Sequence, residues 1–184
     1  MQTGLILSVP GLRDAVEAWR TAVLPGSRLD VPPHLSVLYP WVEHEPTEED
    51  QRRVVDAARH MRPFELTFRE VGTFPGFVWL RPEPSELVRA VHQAMAAAFA
   101  EFPPYAGEHA EVIPHLTVGT CEARDTPALA AAVAAALVDP DVPGLGPFQA
   151  EGVDVALRHS EEEPFTVRRL AAFPPHPEPM LGPA

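Results

Sequence analysis

A chain of 184 residues with 46% apolar side chains can bury one sizeable core, which excludes global disorder. Its formal net charge of −12 and pI near 5.0 set an average field that opposes polyanions. That excludes a protein that coats long RNA or DNA, but not a small phosphate ligand held in a local pocket. The one cysteine, Cys121, rules out an internal disulfide framework and fits a reducing compartment; it reads as a small half-buried residue after a strand rather than a nucleophile.

The N-terminal stretch MQTGLILSVPGLRD lacks a basic n-region, and its apolar run is too short for a signal peptide or a membrane span. Residues 3–9, TGLILSV, form an apolar run ended by Pro-Gly and predict a strand. Leu12, Val16, Trp19 and Val23 recur at steps of three and four and predict a helix over 12–24. After the loop PGSRLDVPP, HLSVLYP predicts a strand. TEEDQRRVVDAARHM opens with Thr47 and, three residues on, Asp50, the pattern of a capping box. FELTFREVGTF and FVWLRPE read as strands separated by Pro-Gly. Residues 84–100 read as a helix through Leu87, Val88, Val91, Met95 and Phe99. HLTVGT reads as a strand, and 126–138 as an alanine-rich helix too short to span a bilayer. Two strands are predicted last, near 148–158 and 165–172.

The second half of this order loosely repeats the first. An α+β fold follows, a duplicated bilobal domain with two antiparallel sheets flanked by helices, one lobe per repeat. A single domain is expected over 1–173, with a disordered proline-rich tail at 174–184. A cytoplasmic protein that does not touch a membrane is expected.

One local pattern appears twice. Residues 31–40 read VPPHLSVLYP and residues 112–118 read VIPHLTV. Each has valine, any residue, proline, histidine, leucine, a hydroxyl residue and valine. Side chains alternate along a strand, so His34 shares a face with Ser36, and His115 with Thr117; the intervening Leu35, Val37, Leu116 and Val118 serve the core. Pro33 and Pro114 lack an N–H and suit the first residue of a strand. A single histidine on a strand is ordinarily an exposed or hydrogen-bonded residue. Two in the same frame, at equivalent places in two half-chains, ask for chemistry that uses a base and an acid.

HLSV and HLTV resemble the paired His-x-Ser/Thr-x motifs of the 2H phosphoesterase superfamily, which includes the 2′-5′ RNA ligase and cyclic nucleotide phosphodiesterase families. The resemblance extends over nearly the whole chain except the tail. It implies two lobes about a pseudo-two-fold axis, with both motifs facing one central cleft. It implies His34 and His115 as the catalytic pair and Ser36 and Thr117 as donors to the substrate phosphate. Histidine suits the work, because a pKa of about 6.5 lets one ring be neutral and another cationic near neutral pH. Hydroxyl donors can hold the phosphorus in line between the rings.

The implied activity is a metal-independent phosphoesterase acting on a cyclic phosphate, a small 2′-linked nucleotide or an RNA end. 2′-5′ RNA ligation and a nucleotide-binding module with little turnover stay open, the latter because serine stands at position 36. No cofactor or metal is expected: the sequence has no HExxH, CxxC or Asp-rich loop. Some relatives carry a basic residue just after the second motif; here Gly-Thr-Cys follows, and the nearest arginine is Arg124. Arg81 or Arg158 is the expected substitute. Tyr39, Trp41, Phe74 and Tyr105 are candidates to line the cleft or stack on a base, although core or rim packing suits each of them better. The other six histidines (44, 60, 92, 109, 159 and 176) read as surface residues.

Overall fold

The computed structural model describes residues 1–14, 16–17, 31–103, 112–138 and 146–176. The strands are β1 (Gln2–Ser8), β2 (His34–Leu38), β3 (Phe64–Phe74), β4 (Phe77–Glu83), β5 (Leu116–Thr120), β6 (Phe148–Ala150), β7 (Gly152–Arg158) and β8 (Thr166–Ala172). Three α-helices among the described residues are α1 (Glu48–Ala58), α2 (Ser85–Ala98) and α3 (Thr126–Leu137). Of the helix expected over 12–24, residues 13–14 and 16–17 are helical, after a short 3-10 turn at Pro10–Leu12; residues 15 and 18–24 lie outside the described residues.

The helices form where capping and periodicity require. At α1, Asp50 N–H donates to Thr47 Oγ1 at 3.2 Å, and Thr47 N–H donates back to Asp50 Oδ2 at 2.9 Å. This is the reciprocal cap that the sequence signals. Glu48, Glu49 and Asp50 add negative charge to the positive end of the helix dipole. Each helix buries one stripe: Asp50, Val54 and Ala58 on α1, Val88, Val91 and Met95 on α2, and Thr126, Leu129 and Val133 on α3. The α1 stripe rests on β7, β8 and α2; α2 rests on β2 and β4; α3 rests on β3 and β4.

The two separate sheets expected from the sequence are one. The strands run in the order β6-β3-β4-β5-β2-β1-β7-β8, all antiparallel. The join is Leu35 of β2 opposite Leu116 of β5. Joining the inner edges of the two histidine strands satisfies backbone groups that would otherwise be exposed edges. Nor is each half of the sheet one half of the chain. One half holds β1, β2, β7 and β8; the other holds β3, β4, β5 and β6.

The expected strand 148–158 is broken in two for the same reason. Phe148 and Ala150 pair with Leu66 and Phe64 of β3, whereas Gly152 onward pairs with β1 and β8. Glu151 is the crossing point, and its carbonyl accepts from Phe173 N–H at 2.7 Å. Because β6 leads directly into β7, the sheet must curl until its two ends meet, and Phe64 stacks on Phe173 there at 6.1 Å.

Two further expectations change. Trp41 is 1% exposed and edge-on to Phe99 at 5.3 Å, so it belongs to the core. His92 is half-buried on α2 rather than on the surface, and its Nε2 is buried without a partner among the described residues. Cys121 is half-buried beside Thr126 Oγ1, as expected. The described start of the tail, through residue 176, has no regular structure; His176 Nε2 reaches Pro63 O at 3.1 Å, and residues 177–184 lie outside the described residues.

Candidate active site

Leu35 and Leu116 are each 0% exposed and face the core, so the residues on either side of them project from the opposite face. Carried one residue each way, the Leu35–Leu116 register sets His34 opposite Thr117 and Ser36 opposite His115. The four side chains form a quartet on one face of the two central strands, all half-buried. The histidines are diagonal neighbours, which places their Cα atoms about 7–8 Å apart. Rings projecting from such positions can stand on either side of a single phosphate.

Each ring is oriented by the backbone two residues before it. His34 Nδ1 lies 2.8 Å from Pro32 O, and His115 Nδ1 lies 2.8 Å from Ile113 O. A carbonyl oxygen can only accept, so Nδ1 carries the proton in both rings. Nε2 is therefore the nitrogen that gains and loses the second proton. The repeated Val-x-Pro-His sequence builds this: an extended residue and a proline ahead of each histidine present the carbonyl at the same place twice.

The surroundings of the two rings differ. Phe74 meets the His115 ring edge-on at 5.3 Å, and Trp79 lies 6.0 Å from it. Trp79 is opposite Thr117 on β5, and it is opposite Gly72 on β3. A Cβ on Gly72 would come within 2.1 Å of the indole, so only glycine lets the ring lie flat on the sheet. Burial behind these rings pushes the His115 pKa below its ordinary value, against the opposing effect of the Ile113 carbonyl. Beside His34 stands Ser8, its cross-strand partner on β1. Ser8 Oγ and Trp79 Nε1 are both buried with no partner among the described residues.

The remaining candidates separate. The β4–β5 register, carried on by one residue, puts Arg81 opposite His115, and Arg81 Nη1 is paired with Glu70 Oε2 at 3.0 Å. Tyr39, 37% exposed, lies over Gly4 just past the end of β2. Arg158 sits at the far end of β7 against Gln2, the Glu161 carbonyl and the Phe165 ring. Arg124 is an exposed partner of Glu122 and Asp125. Tyr105 and His109 lie outside the described residues. Sequence reasoning missed Trp79 and Gly72, whose meeting depends on a cross-strand register. It also missed Asp154 and Arg169, although a carboxylate inside the apolar strand Gly-Val-Asp-Val-Ala-Leu was a visible signal. No group of three or more His, Cys, Asp or Glu side chains converges as a metal site among the described residues.

The family model of the 2'-5' RNA ligase superfamily matches residues 9–171. The chain belongs to this superfamily, the 2H phosphoesterases. Solved structures share the fold. A Thermus thermophilus protein, TT0787, superposes with a TM-score of 0.59 at 21% identity, covering 91% of this chain and 94% of its own. LigT of E. coli, complexed with NADP+, gives 0.59 at 16% identity over 91% of this chain and 93% of that one. A structure described as a phosphoesterase gives 0.55 at 16% identity, over 92% and 98%. Comparison with curated proteins found no match. For a 2H phosphoesterase, the α+β architecture with a curled antiparallel sheet is the shared feature. No helix among the described residues is long and apolar enough to cross a membrane.

Proposed function

We propose that the chain is a metal-independent phosphoesterase that opens a cyclic phosphate or cleaves a small 2′-linked nucleotide by two-histidine acid–base catalysis. One observation carries this reading: both motifs present a histidine and a hydroxyl on the same face of adjacent central strands, with both Nδ1 atoms held by carbonyls. A phosphate between the rings meets Nε2 of each, while Ser36 and Thr117 donate to its non-bridging oxygens.

The asymmetry of the walls divides the work. Burial behind Phe74 and Trp79 favours neutral His115, the form a base needs. In hydrolysis of a cyclic phosphate, His115 Nε2 takes a proton from the attacking water. The P–O bond to the leaving ribose oxygen breaks, and His34 supplies that oxygen's proton. With the 5′-hydroxyl of an RNA end in place of water, the same step opens the cyclic phosphate, releases the 3′ oxygen and forms a 2′-5′ bond, and cleavage of that bond exchanges the two roles. Ligation is therefore the second reading, favoured by the family to which the chain belongs. Related structures support a small nucleotide as substrate: LigT was crystallised with NADP+, 3'-AMP and ATP, all phosphate-bearing nucleotides. Tyr39, over Gly4 and partly exposed, suits the edge of a base or sugar.

The test is a screen of chelator-treated protein against 2′,3′-cyclic nucleotides, ADP-ribose cyclic phosphate and 2′-5′ dinucleotides. Turnover that survives chelation and disappears in His34→Ala and His115→Ala supports the reading. Turnover abolished by the chelator and restored by a divalent cation contradicts it.

A further inference from the structure

Across the quartet from the aromatic wall, the sheet carries an ion pair whose geometry exceeds what packing needs. Asp154 stands in the middle of β7 and is 4% exposed. A buried carboxylate in such a strand is costly unless it is paired. Its partner is Arg169 on β8, directly opposite, whose Nε donates to Asp154 Oδ1. An arginine present only to neutralise this acid is best placed with two nitrogens on two oxygens. Here Nε alone is engaged. Nη1 and Nη2 make no hydrogen bond to any described residue, and the side chain is 42% exposed.

The backbone beneath is bare. A Cβ on Gly152 would meet Ala171 O at 2.1 Å and Arg169 Nη1 at 2.8 Å, so glycine permits both the close strand approach and the flat guanidinium. Register ties the pair to the catalytic quartet. Ser36 is opposite Ile6, Ile6 is opposite Asp154, and Asp154 is opposite Arg169, one row across β2, β1, β7 and β8 on a common face. Held over β7 by Asp154, the guanidinium stands two strand spacings from β2, about 10 Å.

We propose that Arg169, aimed by Asp154, is a second anion subsite, which takes a further phosphate of the substrate while the reacting phosphate lies between His34 and His115. This rests on the phosphoesterase reading and makes it specific: substrates with two phosphate groups on one nucleoside are preferred over those with one. Asp154 is a positioning residue; Arg169 touches the substrate and sets specificity.

Calorimetric binding of adenosine 2′-monophosphate and adenosine 2′,5′-bisphosphate separates the possibilities, with wild type, Arg169→Gln, Arg169→Lys and Arg168→Gln. Arg168 pairs with Val155 and belongs to the other face, so its variant loses the same charge without touching the subsite. The bisphosphate should bind wild type about ten- to a hundredfold more tightly, the worth of a charge-assisted contact. That advantage should vanish in Arg169→Gln, shrink in Arg169→Lys and persist in Arg168→Gln. If Arg169→Gln fails to fold, a reduced advantage in Arg169→Lys supports the subsite by itself. Equal affinities in wild type, or an advantage that survives both Arg169 variants, would reduce the pair to a structural one. If the monophosphate binds without any bisphosphate advantage, this inference alone fails. If neither nucleotide binds, the phosphoesterase reading fails and takes the subsite with it.

Discussion

His34 and His115 occupy the same local frame and are oriented by the same kind of carbonyl contact, yet the residues around them differ. The Phe74–Trp79 wall dries one ring, and the wall stands because Gly72 leaves room for the indole. Gly72→Ala should displace Trp79, admit water and raise the His115 pKa toward the ordinary value of about 6.5. If His115 is the base, the acid limb of kcat/KM then moves to higher pH, because the base is lost to protonation sooner. The groups facing His115 on neighbouring strands, Arg81 and Glu70 on β4 and β3 and His34 on β2, are unchanged in this variant. NMR titration of His115 together with the rate profile checks it; an unmoved acid limb alongside a raised pKa would remove His115 from the role of base. Ser36→Ala and Thr117→Ala should each cost about 1–3 kcal/mol of transition-state stabilisation while leaving Tm in place. A collapse of Tm with normal kcat/KM would instead make the hydroxyls structural.

At the scale of elements, the local signals were legible and the pairings were not. The cap of α1 was readable because Thr47 and Asp50 are three residues apart and act on each other. Burial works to raise the Asp50 pKa, but the Thr47 hydroxyl and N–H, with His44 and Arg53, hold it below its ordinary value. Thr47→Ala should destabilise the protein by about 1 kcal/mol, read by urea denaturation with an unchanged slope. The alternation in HLSV and HLTV assigned each motif's residues to two faces, and the structure keeps that assignment. What the sequence could not carry was that β2 joins β5, or that 148–158 changes partners at Glu151. The edge of a strand has no side-chain signature, and the apolar run FQAEGVDVAL suits one strand as well as two. Trp41 misled for a related reason: it follows Tyr39 closely, but the chain turns at Pro40 and sends the indole into the core.

In the whole molecule, one four-strand set (β1, β2, β7 and β8) is drawn from both ends of the chain and encloses the continuous set β3 to β6, so the first half of the sheet closes only when the last strands arrive. Stability is accordingly expected to be lost in one cooperative step, and its pH dependence follows from groups in both halves. Burial lowers the pKa of His92 and of His115. Well above pH 6.5 both rings are uncharged whether the chain is folded or not. Below about pH 6.5 the unfolded chain binds protons that the folded one resists, so stability falls as pH falls. Asp50 acts in the same sense at lower pH, since its depressed carboxyl pKa favours the fold until it too is protonated. Tm should decline from pH 7 to pH 5, and His92→Leu should flatten part of that decline; a Tm that rises on acidification would contradict the burial of these rings.

The central claim is that His34 and His115 act as a single device on one phosphate. It is tested most directly by kcat/KM on a 2′,3′-cyclic nucleotide for wild type, His34→Ala, His115→Ala and the double variant. Each single replacement should lower the rate by about 10²–10⁴-fold, and the double variant should be little worse than either, because half of an acid–base pair does almost none of its work. Near-normal activity in either single variant, or losses that multiply in the double, would show that the two histidines do not share a substrate.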